Sequence, residues 1–310
     1  MTLLRIGTRR SALAQTQARH VADALTARTG AEVELVGVTT HGDVSRESLA
    51  QIGGTGVFVN ALRDRLLDGE IDIAVHSLKD LPTTQPDELT VAAIPSREEP
   101  RDAFVSRDGR KLADLPPGAR VGTGSPRRAA QLRAARPDIE VSAIRGNVDT
   151  RLGKVTSGEL DALVLAGAGL ARLGRLDTVS EVLDPDQMLP APGQGALAVE
   201  CRAGSADMVE LLGAIDDPET RACVTAERMV LAVLEAGCSA PVGAYADTDR
   251  AAGEHSPELH LRAAVVSVDG SASVRLSATG PPGDATGIGR NVATDMLAKG
   301  AATVMGERIR

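Results

Sequence analysis

Two kinds of side chain stand where chemistry would need them: guanidiniums set just after apolar runs, and one carboxylate on a turn. In "VGTGSPRRAAQL" a strand-like run ends at Val121, turns through glycine, and opens a helix at Ser125-Pro126. Backbone N–H groups at a helix start favour an anion. Arg127 and Arg128 in the first turn oppose the helix dipole, so their presence asks for a reason. A carboxylate or phosphate ligand is one; two solvated arginines that slightly weaken the helix is the other. "AIRGNVDTRLGK" repeats the theme, with Arg145 at a strand end, Gly146 at the turn and Arg151 in the next helix. "IGTRRSALA" again places Arg9 and Ser11 between a strand and a helix. In open α/β sheets such ends line the ligand crevice. Several arginines together point to a polyanion, and Arg suits bidentate carboxylates better than Lys.

The carboxylate is Asp80 in "IDIAVHSLKDLP", after a strand and before Leu81-Pro82, with Lys79 and His76 as neighbours. It reads equally as a general acid, a stabiliser of developing positive charge, or a turn residue before proline. A third candidate is Cys238 in "LEAGCSAPVG". It follows the carboxyl end of a helix, where the dipole disfavours a thiolate, and no histidine dyad adjoins it. That makes it a poor turnover nucleophile; a packed small residue and a permanent attachment point both remain open.

Composition narrows the partners. The chain has 310 residues, enough for two or three domains, and 43% of them are apolar. Aromatic residues are confined to Phe58, Phe104 and Tyr245, so stacking of nucleic-acid bases is nearly excluded. A formal charge of -8 argues against general affinity for nucleic acid or anionic membrane. Of 34 basic residues only four are lysines. No signal-peptide pattern or membrane-length apolar segment is read, which predicts a cytoplasmic protein with reduced Cys201, Cys223 and Cys238. No CxxC or HxxxH pair exists, so no structural metal site is expected. No long apolar surface stripe calls for a partner copy, and a monomer is expected.

The elements that must hold these residues alternate. "LLRIGT", "VELVGVTT", "IDIAVHS" and "LTVAAI" read as strands, with helices at "SALAQTQARHVADALTART", capped by Ser11, and "VFVNALRDRLLDGE". A second set runs from "EEPRDAFVS" through "ARVGTGS", the helix "PRRAAQLRAA", "IEVSAIRG", the helix "NVDTRLGKVTSG" and "LDALVLA". Both predict mostly parallel α/β sheets. "LPAPGQGALAVECR" reads as the chain crossing back to the first set. Then Asp217-Pro218 opens a long helix that Gly237 should close. Three strands follow, with a hairpin turn at Asp269-Gly270, a polar loop through "ADTDRAAGEHSPE" and a final helix through "VATDMLAKGAATVM".

Taken in order, "RIGTRRSALA", "AVHSLKDLP", "PRDAFVS", "VGTGSPRRAAQL", "RGNVDTRL", "LDALVLAGAGLARLG", "LPAPGQGALAVECR" and "TAERMVLAVLEAGCSAPVGAYA" resemble the porphobilinogen deaminase (hydroxymethylbilane synthase) family over nearly the whole chain. The resemblance implies two periplasmic-binding-protein-like α/β domains flanking a cleft, and a smaller C-terminal α+β domain with a three-stranded sheet. The expected boundaries are 1–95 with 196–215, 96–195, and 216–310. It implies a dipyrromethane cofactor on Cys238 through a thioether. Onto this primer four porphobilinogen units condense with loss of ammonia before the linear tetrapyrrole hydroxymethylbilane is hydrolysed off. Asp80 matches the catalytic aspartate. A six-ring chain carries about twelve carboxylates, two per ring, which suits an arginine-lined site. By match, Lys79, Thr123, Ser125, Arg127, Arg128, Arg145 and Gly146 would hold the cofactor. Arg9, Ser11, Arg145, Arg151, Arg172 and Gln194 would meet substrate.

The chain departs from the family pattern at Thr55 and Gln51, where lysines are common, and at Gly124, where "GTGS" replaces "GTSS". The first two put a carboxylate contact from the 42–58 loop in question. The competing classes are a non-enzymatic two-domain protein that binds a polycarboxylate, which needs neither Asp80 nor Cys238, and a cysteine-nucleophile hydrolase, which predicts an alkylatable Cys238.

Overall fold

The computed structural model describes residues 3–39, 59–237, 240–249 and 257–306. Its chain forms two compact units, Met1–Glu98 with Ala196–Arg221, and Glu99–Gly195 with Ala222–Arg310.

The first unit starts with β1 (Leu4–Arg9), whose Ile6 is fully buried. Ser11 caps α1 (Ala12–Thr29) by accepting the Ala14 N–H, and Gly30, at φ 71°, ends it. Ala18, Val21, Ala22 and Leu25 recur at helical spacing and are buried against the sheet. Burying a side chain such as Leu25 contributes about 1.5–3 kcal/mol. The unit continues through β2 (Val33–Val38), α2 (Asn60–Leu67), β3 (Ile73–Ser77) and β4 (Leu89–Ala93).

The second unit opens with β5 (Asp102–Ser106), then β6 (Arg120–Thr123), α3 (Pro126–Ala135), β7 (Glu140–Ala143), α4 (Val148–Thr156), β8 (Ala162–Ala166), α5 (Gly167–Arg172) and β9 (Glu181–Val182). The chain then returns to the first unit as β10 (Leu197–Arg202) and α6 (Ala206–Gly213).

The two sheets share one plan. The first has the order β2-β1-β3-β10-β4 and the second β7-β6-β8-β5-β9. In each, three parallel strands are followed by one that runs against them: β10 pairs antiparallel with β3 and β4, and β5 with β8 and β9. The sheets are therefore mixed rather than mostly parallel. The crossing strand takes the slot where a fourth parallel strand would otherwise lie.

α7 (Pro218–Val233) begins as read, with Asp217 accepting the Thr220 N–H at 2.7 Å. It does not run to Gly237. Glu235 N–H bonds to Ala232 O and Ala236 N–H to Leu231 O, with Glu235 itself at φ 50°. That is the full Schellman pair of bonds, made with a glutamate in the left-handed position where glycine is usual. The cost of a non-glycine there is about 1–2 kcal/mol. After it come β11 (Val242–Asp249), β12 (Glu258–Val266) and β13 (Ser273–Gly280), an antiparallel sheet covered by α8 (Ala285–Ala298) and α9 (Ala301–Val304). The last helix read from the sequence is thus two helices, separated at Gly300 (φ 87°). Of the loop read over residues 246–258, the first four belong to β11 and 250–256 lie outside the described residues, as do Gln51, Thr55 and Cys238. The fold is the one expected: two α/β sheet domains and a three-stranded α+β domain.

Candidate active site

In the first unit, Arg9 ends β1 and Asp80 follows the end of β3, its parallel neighbour, so both stand at the carboxyl edge of one sheet. Asp80 lies in a single 3-10 turn, Leu78–Asp80. Leu78 and Leu81 are buried on either side of it, while Lys79 is half-buried and Asp80 exposed. Leu78 N–H bonds to Ala196 O at 3.0 Å and Leu81 N–H to Leu78 O at 3.1 Å. The apolar pair pins the turn and leaves the carboxylate outside. Ser77, one residue before the turn, shares a 2.9 Å hydrogen bond with Gln17 of α1. The Ser11 hydroxyl is engaged as the cap of α1, and Arg9 is half-buried.

Beneath this edge lies a buried ionic group. Glu200, on β10, is fully buried and takes Arg63 Nη2 at 2.7 Å and Arg63 Nε at 3.1 Å. His76 Nε2, on β3, lies 3.3 Å from Oε2, the oxygen that Arg63 Nε also reaches. Burial alone would push the Glu200 pKa up; the close approach of His76 and the hydrogen bonds and charge of Arg63 outweigh it and hold the carboxyl below its ordinary range.

In the second unit Ser125 caps α3, accepting the Arg128 N–H, and its own N–H bonds to Thr123 Oγ1 at 3.2 Å. A Cβ at Gly124 would fall 2.7 Å from Ile144 O, so the turn is too close to the neighbouring strand for the serine that "GTSS" would place there. Arg127 and Arg128 do not point into solvent. Their side chains are 3% and 7% exposed, and both reach Asp102, which is fully buried at the start of β5. Arg127 Nη1 lies 2.8 Å from Asp102 Oδ2, and Arg128 Nη2 and Nε lie 2.8 and 3.0 Å from Oδ1. Burial would raise the Asp102 pKa, but the two guanidinium charges hold it well below the usual carboxylate range. Gln194, read from the resemblance as a substrate contact, is wholly buried. Its amide donates to Asp102 Oδ1 and Pro100 O, each at 2.8 Å, and accepts from Arg128 at 3.3 Å. It therefore acts on the arginine network from inside. Arg127 also donates to Leu189 O.

Around that buried group stand the other arginines. Arg145 is exposed at the end of β7, just before Gly146. Gly146 has φ 108°, and a Cβ there would lie 2.7 Å from Thr150 Cγ2, which is why the turn is glycine. Asn147 caps α4, and Arg151 in its first turn donates Nε to Gly146 O at 2.8 Å. Arg172, at the end of α5, donates to Gly195 O at 2.7 Å. The Arg151 pKa is pushed down by burial and by repulsion from Arg128 and Arg145. Arg127 Nε is buried with no hydrogen-bond partner among the described residues. Crowded like charges and a left-over donor are what a carboxylate-rich ligand would relieve. The donor set fits a polycarboxylate.

Asp102, Glu200, Arg63 and Glu227 were not singled out from the sequence. A signal was present for Glu200, which interrupts the apolar run in "LAVECR"; Asp102 and Glu227 each adjoin an arginine and carry no such mark.

A sequence profile described as the porphobilinogen deaminase dipyrromethane cofactor binding domain matches residues 4–210, and that of the porphobilinogen deaminase C-terminal domain matches residues 221–298. Porphobilinogen deaminase 1 of Streptomyces coelicolor is 62% identical over 313 residues, covering 98% of either chain. Porphobilinogen deaminase of Thermobifida fusca is 57% identical, covering 99% of this chain and 97% of its own. That of Mycobacterium tuberculosis is 55% identical, covering 98% of both. Among solved structures, the methionine binding protein MetQ aligns with 71% of this chain and 92% of its own at 12% identity and a TM-score of 0.44.

Proposed function

We propose the roles of individual residues from one premise: this chain belongs to the porphobilinogen deaminase family. Its activity is a transferase's, the stepwise head-to-tail condensation of porphobilinogen with loss of ammonia, ending in release of a linear tetrapyrrole. Two observations, one in each unit, carry the residue-level reading: the exposed Asp80 on a turn pinned by buried leucines, and Arg151 crowded by the charges of Arg128 and Arg145 beside a buried Arg127 Nε that no described residue accepts from.

Asp80 is the catalytic residue. Positive charge grows on the pyrrole nitrogen as the C–N bond of porphobilinogen's aminomethyl substituent breaks, the nitrogen leaving as ammonia and the methylene carbon staying on the ring. A carboxylate near that N–H lowers the barrier and can take and return the proton. Lys79, beside it, and Arg9, at the end of the next strand, orient the substrate's acetate and propionate. Ser11 supports them through the helix cap.

Dipyrromethane is the cofactor, and Cys238 is its attachment point. When bound, it supplies the free α-carbon from which the chain grows. A thioether from the Cys238 sulfur to a methylene carbon of the group would hold it. Arg145 and Arg151 receive carboxylates directly, joined by Arg172. Arg127 and Arg128 offer the donors that Asp102 leaves over, with Thr123, Ser125 and Gly146 shaping the turns. The chain divides into domains at 1–95 with 196–215, 96–195 and 216–310; one sheet falls in each span. We read the protein as a cytoplasmic monomer acting on small molecules, with no nucleic-acid or membrane partner. The formal charge of -8 supports this, and no described helix is long and apolar enough to cross a membrane.

The test is intact mass. Purified protein should be heavier than its sequence by one dipyrromethane, and Cys238 should resist alkylation. Cys238→Ser should carry no adduct and show no turnover. A wild-type protein of bare sequence mass with a freely alkylated Cys238 overturns the reading.

A further inference from the structure

Glu227 has no part in the chemistry above, yet it is a carboxylate with no exposed surface, on α7. Its two oxygens join two different elements. Oε1 accepts the Ala246 N–H of β11 at 2.8 Å, and Oε2 accepts the Gly193 N–H at 2.6 Å. The residue after Gly193 is Gln194, whose amide holds Asp102, and Asp102 holds Arg127 and Arg128. One unbroken buried path thus runs from α7 and β11 to the head of α3, all within the second compact unit.

A second contact runs beside it. Ala244 N–H of β11 bonds to Pro190 O at 3.0 Å. A Cβ on Gly243 would fall 2.8 Å from Leu189 Cβ, so that strand lies directly on the segment. The same Leu189 accepts from Gln131 of α3 at 3.0 Å and from Arg127. α7 and β11 are also the two stems of the connection that carries Cys238.

We propose that Glu227 is a positioning residue: it fixes both stems of the Cys238 connection against the arginines at the head of α3, so that a group tethered there meets its carboxylate ligands in one place. This rests on the tether reading. The chemistry suits the task, because two N–H donors need two acceptors and a carboxylate supplies both, each strengthened by charge. A glutamine supplies one oxygen and turns an N–H toward an N–H. Holding a charge out of water for two backbone amides is costly, and a joint that served cohesion alone would do as well with apolar packing.

The experiment compares Glu227→Gln with Val230→Ala, a core truncation three residues along the same helix. Each is assayed well below its melting temperature for intact mass, kcat and KM. Val230→Ala should melt earlier but load dipyrromethane fully and keep its kcat. Glu227→Gln should load incompletely, and its loaded fraction should lose about tenfold to a hundredfold in kcat at unchanged KM. Full loading with wild-type kcat in Glu227→Gln overturns the proposal, as does an equal loss in Val230→Ala. If Glu227→Gln yields no folded protein, Gln194→Leu cuts the same path at the next link. It should show the same loss, and wild-type kcat there overturns the proposal too. An unloaded wild type would instead refute the tether reading itself.

Discussion

Each five-stranded sheet buries one acid on the strand that runs against its neighbours, and the two acids are held differently. Glu200 lies within β10, opposite Ala74, with Arg63 on both its oxygens and the imidazole of His76 close to Oε2. Asp102 stands at the very start of β5, opposite Ala166 at the end of β8, and faces two permanent guanidiniums and an amide. The first acid sits below the edge that carries Asp80, and its partners belong to the core. The second sits at the edge itself, and its partners are the arginines expected to meet the ligand. In the first unit the proposed catalytic acid and the buried charge are separate side chains. In the second, the two arginines proposed to meet the ligand are the ones that hold the buried acid.

The largest effect that would test this separation is on turnover. Asp80→Ala should cut ammonia release by about 10²–10⁴-fold, the usual range for a lost acid–base group. Its melting temperature should stay near wild type, because the side chain is exposed. A large drop in melting temperature would join chemistry to stability in the first unit and break the comparison.

Next comes Asp102→Asn. It leaves two buried guanidiniums without their countercharge and should cost about 3–5 kcal/mol in urea unfolding. Its pH dependence is signed. A folded pKa below the unfolded value means that the stabilisation is complete above about pH 4 and is lost as pH falls through the folded value. The wild-type urea midpoint should therefore fall steeply below that pH. The Asp102→Asn variant should start lower and fall less. Parallel acid limbs would show that Asp102 is not the group responsible.

The smallest effect belongs to Glu200→Gln, which strands one buried guanidinium rather than two and should cost about 3 kcal/mol. With Asp80 on a turn held by Leu78 and Leu81, KM should not move. A change in KM there would mean that the first unit couples its core to its edge as the second does.

Much of this arrangement was legible before the fold was known. The bounds of α3, Pro126–Ala135, follow from serine, proline and the spacing of alanines and leucine. Ser11 and Asp217 cap the helices assigned to them. What local pattern could not give is direction. Arg127 and Arg128 read as ligand-binding or solvated, and not as partners of a buried acid, because Asp102 lies 25 residues earlier at the start of a strand, and only sheet pairing brings it under α3. The contacts of Gln194 with Asp102 and Arg128 were out of reach for the same reason. The end of α7 was read from Gly237, but the helix stops by backbone bonds around Glu235, a residue with no left-handed preference of its own. The resemblance supplied the chemistry of Asp80 and Cys238; residue types alone left both open.

The slot filled by β10 has a consequence for how the protein is made. β3 and β4 leave the ribosome before residue 94, yet the strand that must lie between them begins at Leu197. At about 5–20 residues per second, the nascent first sheet waits roughly 5–20 s with two inner edges open. The second sheet, whose reversed strand β5 is translated first, has no such wait for it. A chaperone that shields extended backbone would have its work on the amino-terminal hundred residues, and a truncation anywhere before β10 would strand them half-zipped.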